Sequence, residues 1–120
     1  MDSGMFLPIQ LAAVKALELD KDWFTELNKV YTARRLKVFE LLNLLDCDFD
    51  ETQAGMFVWA AIPGKFKDGF ELSDKVLHDS NVFITPGGIF GNSGNNYIRV
   101  SLCSSSETID KAINRIKDFS

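Results

Sequence analysis

Cysteine is scarce in this chain: two among 120 residues, Cys47 and Cys103, far apart and in no metal-ligand spacing. That excludes a disulfide framework and leaves both as free thiols of a reducing compartment, with cytoplasm the expected location. Histidine is scarcer still. His78 stands alone, near the end of an expected helix whose dipole favours a cation there, so there is no Cys/His cluster to hold a metal. No long apolar run is present either; the longest, Met56 to Pro63, is too short to cross a bilayer. The opening Met1-Asp2-Ser3-Gly4 lacks the basic region and apolar stretch of a signal peptide. Positive charge is in deficit as well. Thirteen Lys+Arg against 17 Asp+Glu leave a net charge of -4, which argues against nucleic acid or an anionic membrane as a general partner.

What is present is an ordinary globular balance, 46% apolar and 25% charged, which fits neither a disordered chain nor a coiled coil. The length suits one unit. Within residues 1–120 we expect a lead-in segment and helix over 1–20, a long helix over 22–45, and a sheet with helices over 47–120. Phenylalanine is abundant at ten residues, and aromatics total 12%. Such a surplus fits either a Phe-rich core or aromatics that face a partner subunit or another domain.

The first helix is expected from about Pro8, a residue suited to a first turn. In the long helix, Phe24, Leu27, Tyr31, Val38, Leu42 and Leu45 mark one face, and Leu36, Phe39, Leu41 and Leu44 widen it in the second half. Met56 to Ile62, entered through Gly55 and closed by Pro63-Gly64, reads as a continuously buried strand. Residues 68–80 form a shorter helix with Leu72, Val76 and Leu77, and Asn81 to Thr85 a short strand. Tyr97 to Cys103 alternates, with Ile98, Val100 and Leu102 on one face and Tyr97, Arg99 and Ser101 on the other. Ser104 and Glu107 form a capping box for a last helix bearing Ile109, Ala112, Ile113 and Ile116. The pattern predicts an α+β fold: a small, largely antiparallel sheet of three or four strands packed against helices and preceded by a long helix.

Few residues could carry chemistry. Ser101 and Ser104 have no neighbouring base, and Asp48, Asp50 and Glu51 read as a solvated connection. The glycine-rich loop Gly87 to Gly94 lacks the Lys-Ser/Thr ending of a phosphate loop and leads into a strand. Its glycines suit a tight turn at the rim of a site. Arg99 is a permanent charge in the middle of the most regular strand. Its planar fork matches a carboxylate; a structural salt bridge and a solvated arginine are the alternatives.

Thr85-Pro86-Gly87-Gly88-Ile89-Phe90-Gly91 and Tyr97-Ile98-Arg99-Val100-Ser101-Leu102 resemble the carboxy-terminal signature of class I/II aminotransferases, pyridoxal-phosphate enzymes of the aspartate aminotransferase fold. Ser3-Gly4-Met5-Phe6-Leu7-Pro8-Ile9-Gln10 with Ala12-Ala13, and Gly55-Met56-Phe57-Val58-Trp59, are similar to further family segments in the same order. The resemblance implies the small carboxy-terminal domain of such an enzyme. It implies that a preceding large domain supplies the Schiff-base lysine, the aspartate paired with the pyridinium nitrogen and the phosphate-binding groups. No lysine here matches the family's serine-lysine motif; Ser73-Asp74-Lys75 falls on an expected helix. No catalytic or cofactor-binding residue is therefore expected in this chain, which alone would bind no pyridoxal 5'-phosphate and be inactive. Arg99 matches the arginine that grips the substrate α-carboxylate. Met5 and Phe6 match a loop near the neighbouring subunit's active site, and Phe90 and Gly91 one that shapes the pocket. Amino-acid and 2-oxo-acid substrates and a homodimer follow from the same resemblance. A lyase or decarboxylating synthase of the same fold, or a stand-alone α+β binding module, are the competing readings.

Overall fold

The computed structural model describes residues 6–119. Two compact units are present, one ending at Val30 and the other beginning at Tyr31. Met5 lies outside the described residues.

In the first unit, helix α1 (Leu7–Leu17) carries proline in its first turn and has no buried residue. Helix α2 (Lys21–Leu44) begins where the Asp20 carboxylate accepts a hydrogen bond from the Trp23 amide at 3.0 Å, satisfying one of the donors a helix start leaves unpaired. Trp23 and Phe24 meet edge to face, 5.0 Å between centroids. They remain 45% and 46% exposed.

In the second unit, α2 buries Val38, Phe39, Leu41 and Leu42, the stretch where its apolar face was expected to be widest. The helix stops at Asp46, whose φ is 58°; the Cys47 amide donates back to the Leu42 carbonyl at 3.0 Å, closing the end as a left-handed residue does. Strands β1 (Phe57–Ala61), β2 (Thr85–Pro86) and β3 (Tyr97–Ser101) form an antiparallel sheet in the order β1-β3-β2. Helix α3 (Gly69–Ser80) is capped by the Asp68 carboxylate, which accepts from the Glu71 amide at 2.9 Å, and ends at left-handed Asn81. Helix α4 (Ser106–Phe119) turns Ile109, Ile113 and Ile116 inward. One core joins Val38 and Leu42 of α2, Val58 and Ala60 of β1, Leu72 and Val76 of α3, Ile98 of β3 and the α4 isoleucines. The expected α+β architecture, with helices on one sheet face, is what forms.

Three local expectations are corrected. The run from Met56 to Ile62 is not continuously buried: Val58 and Ala60 are inside, whereas Phe57 and Trp59 are each 38% exposed. Helices cover only one face, so an antiparallel strand alternates even where its sequence does not. The segment from Asn81 to Thr85 is not a strand; only Thr85 and Pro86 pair with β3. Asn81 is spent ending α3, and Ile84 is held by its carbonyl, which accepts from the buried Ser73 hydroxyl. The last helix is capped one residue later than expected. The Ser105 hydroxyl, not that of Ser104, accepts from the Thr108 amide at 3.2 Å.

Candidate functional site

The face of the sheet that no helix covers is built by β-strand alternation. Ile98 points into the core and is fully buried, so Arg99 points to the opposite side. Arg99 sits on the central strand, paired with Trp59 of β1 on one flank and Thr85 of β2 on the other. Its backbone is therefore fixed from both sides. On the outer edge of β1, Asp48 bridges Ala61 through the backbone, and at Trp59 a side chain takes the partner's place: Gln53 accepts from the Trp59 amide at 2.9 Å and donates to the Trp59 carbonyl at 3.1 Å. This clip holds Trp59 opposite Arg99.

Phe90 reaches the same place from a tight turn. Residues Gly87–Phe90 and Asn92–Gly94 form two short 3-10 turns. A Cβ on Gly87 would stand 2.5 Å from the Gly94 carbonyl oxygen and 2.8 Å from that of Tyr97. Only glycine permits that backbone approach. Gly91 has φ 134° and ψ 165°, a region closed to other residues. The turn thus delivers the Phe90 ring 5.8 Å from that of Trp59.

The Arg99 guanidinium carbon lies over two aromatic rings, 4.0 Å from the Phe57 centroid and 4.3 Å from the Phe90 centroid. Among the described residues none of the ion pairs includes Arg99. The other three arginines differ. Arg34 donates to the Leu102 carbonyl and Arg35 to the Gly55 carbonyl, each at 2.9 Å, and Arg115 to the Asn81 carbonyl at 3.3 Å. Arg99 is thus a half-buried cation with no hydrogen bond among the described residues, although it has five donors to offer. Arg99 also contributes to the lining of a separate groove of about 540 Å³ beside α2 and α4, with Val38, Leu41, Thr108, Lys111 and Arg115; Phe57, Trp59 and Phe90 do not line it. The chemistry this arrangement offers is capture of a planar anion.

Of the residues the sequence singled out, the structure brings Arg99 and Phe90 together, with Gly91 shaping the turn that carries Phe90. Phe6 is 69% exposed at the start of α1 in the other unit. Phe57 was read only as part of a buried strand; the one signal that could have marked it is its place two residues before Trp59, on the same side of β1 as the partner of Arg99. His78 lies exposed in the last turn of α3. Among the described residues no group of three His, Cys, Asp or Glu could hold a metal, and no helix is long and apolar enough to cross a membrane.

A cofactor that needs an amine for covalent attachment and a carboxylate for its ring would find neither in the cluster of Phe57, Trp59, Phe90 and Arg99. The lysines stand on helices or in a loop, several paired with carboxylates, as Lys37 with Asp110 and Lys75 with Asp79.

The profile of aminotransferase class I and II matches residues 3–116. The LL-diaminopimelate aminotransferase of Natranaerobius thermophilus is 34% identical over 119 residues, covering 99% of this chain and 31% of that protein. The apo structure of BacF from Bacillus subtilis superposes with a TM-score of 0.79 at 32% identity, over 96% of this chain and 30% of that one. The alanine aminotransferase of Pyrococcus furiosus gives a TM-score of 0.79 at 26% identity, over 93% of this chain and 29% of that one. The chain thus spans about 30% of the length of relatives such as these.

Proposed function

This chain belongs to the family of class I and II aminotransferases, and from that premise we propose that it serves a pyridoxal-phosphate-dependent amino-acid aminotransferase as the small domain that grips the substrate α-carboxylate through Arg99. The observation that carries the reading is the guanidinium over Phe57 and Phe90 with no ion-pair partner among the described residues. A bidentate arginine fixes a carboxylate in position and in rotation. Transamination needs that second constraint, because the Cα–H bond must stand in one orientation when it breaks.

The cluster of Phe57, Trp59, Phe90 and Arg99 does not by itself fit pyridoxal phosphate, since it includes no amine and no acid. In this reading the cofactor is held by the rest of the enzyme, and the chain alone is inactive. The relatives named for LL-diaminopimelate and for alanine act on substrates that share an α-amino carboxylate and differ beyond it. A carboxylate grip is the part such enzymes would have in common, which supports assigning that shared contact to this chain and side-chain selection to other parts. Phe90 and Gly91 shape the pocket around the carboxylate. Phe6 faces the neighbouring subunit's site in a homodimer. The free thiols of Cys47 and Cys103 support a cytoplasmic place of action.

In the intact enzyme, Arg99→Ala should lower kcat/KM for amino acids by roughly thirtyfold to several thousandfold, since truncating one partner of a buried charged pair costs on the order of 2–5 kcal/mol. Arg99→Lys should recover only part, because an ammonium lacks the fork. Unchanged kcat/KM in Arg99→Ala would sink the proposal.

A further inference from the structure

We propose that Phe57, acting with Phe90, is a positioning residue for the substrate: the two rings fix the pose of the Arg99 guanidinium and so the angle at which a carboxylate docks. The inference rests on the reading of Arg99 given above. Arginine is long and flexible, and holding it in one pose costs rotamer freedom. Most buried arginines meet that cost with hydrogen bonds, as Arg34 does by donating to the Leu102 carbonyl. Arg99 has none among the described residues; what holds it are the two ring faces at 4.0 and 4.3 Å.

Rings suit this task better than polar partners would. An aromatic face attracts a cation through its quadrupole and places no strong hydrogen-bond acceptor against the N–H groups. The guanidinium is therefore held while its donors stay available for an incoming planar anion. A carboxylate partner would hold it more tightly and occupy those donors.

The two rings come from independent supports. Phe57 pairs with Ser101 and Trp59 with Arg99, so Phe57 is the diagonal neighbour of Arg99, within reach of an aromatic side chain. Phe90 comes from the glycine turn, and Trp59 contacts it at 5.8 Å. Phe57 is exposed on the uncovered face and lies outside the core cluster. Core packing does not explain it; support of Arg99 does.

The test uses the intact aminotransferase and compares an α-amino acid with the matching amine that lacks the carboxylate. A merely structural effect lowers both rates and leaves their ratio alone. Phe57→Leu should reduce the ratio of the two kcat/KM values by about tenfold, and Phe57→Tyr, which keeps the ring face, should recover most of that loss. Arg99→Ala, measured in parallel, separates the two claims. If Arg99→Ala collapses the ratio while Phe57→Leu leaves it at the parent value, the positioning role is overturned and the carboxylate grip stands. If Arg99→Ala itself leaves the ratio unchanged, the grip fails and the inference with it. Should Phe57→Leu not fold, Phe57→Met takes its place with the same two outcomes.

Discussion

Burial pushes the Cys47 thiol up from 9.0 to about 12, with the nearby Asp46 charge adding to the effect, whereas Cys103 is exposed. The sign of the resulting pH dependence follows from proton counting. Below pH 9 both folded and unfolded chains keep this proton, and the thiol contributes nothing. Above it the unfolded chain releases the proton and the folded chain does not, so stability falls as pH rises from 9 towards 12. Replacing Cys47 by alanine should flatten that alkaline loss in denaturant midpoints measured from pH 8 to 11. In the native chain a thiol reagent should modify Cys103 well before Cys47; equal rates at both would contradict the burial. The placement of Arg99 on the strand face opposite Ile98 was legible at this scale from the alternation of residues 97–102, while its reading as a carboxylate ligand came from the family resemblance. Phe57 was not legible, because a run of apolar residues gives no sign of which members a one-sided sheet leaves uncovered.

At the scale of elements, the helices and the strands β1 and β3 were readable because periodicity and capping residues are local signals, whereas which strands pair was not. Their ends were harder, since several polar residues compete for one capping role. Three serines and a threonine crowd the start of α4, and the sequence favoured Ser104 for its spacing to Glu107. The hydroxyl in place is that of Ser105, bonded to Thr108. Ser105→Ala should therefore destabilise the chain by about 1 kcal/mol, the usual contribution of an N-cap. Ser104→Ala should be nearly neutral, and thermal melts of the two variants would decide it. Segment 81–84 illustrates a different limit. Val82, Phe83 and Ile84 have strand composition, yet left-handed Asn81 and the Ser73 hydroxyl on the Ile84 carbonyl set their path. A partner 11 residues away in sequence leaves no local trace.

At the scale of the whole molecule, the aromatic surplus resolves in favour of exposure. Phe6, Trp23 and Phe24 are exposed, as are Leu7, Leu11 and Leu17 of α1. Apolar area gains about 25 cal/mol per Å² when removed from water, before ordering costs. The chain by itself should therefore self-associate, with a sedimentation coefficient that rises with concentration, and Phe6→Ser with Trp23→Ser should weaken that rise. A concentration-independent monomer would show that these side chains do not drive association. The central claim, that Arg99 takes the α-carboxylate, is tested most directly by a crystal structure of the intact enzyme with an unreactive amino-acid analogue. Two parallel N–H···O contacts of about 2.8 Å between Arg99 and the carboxylate are expected, with the guanidinium still over Phe57 and Phe90. A carboxylate held by other residues, with Arg99 turned away, would contradict it.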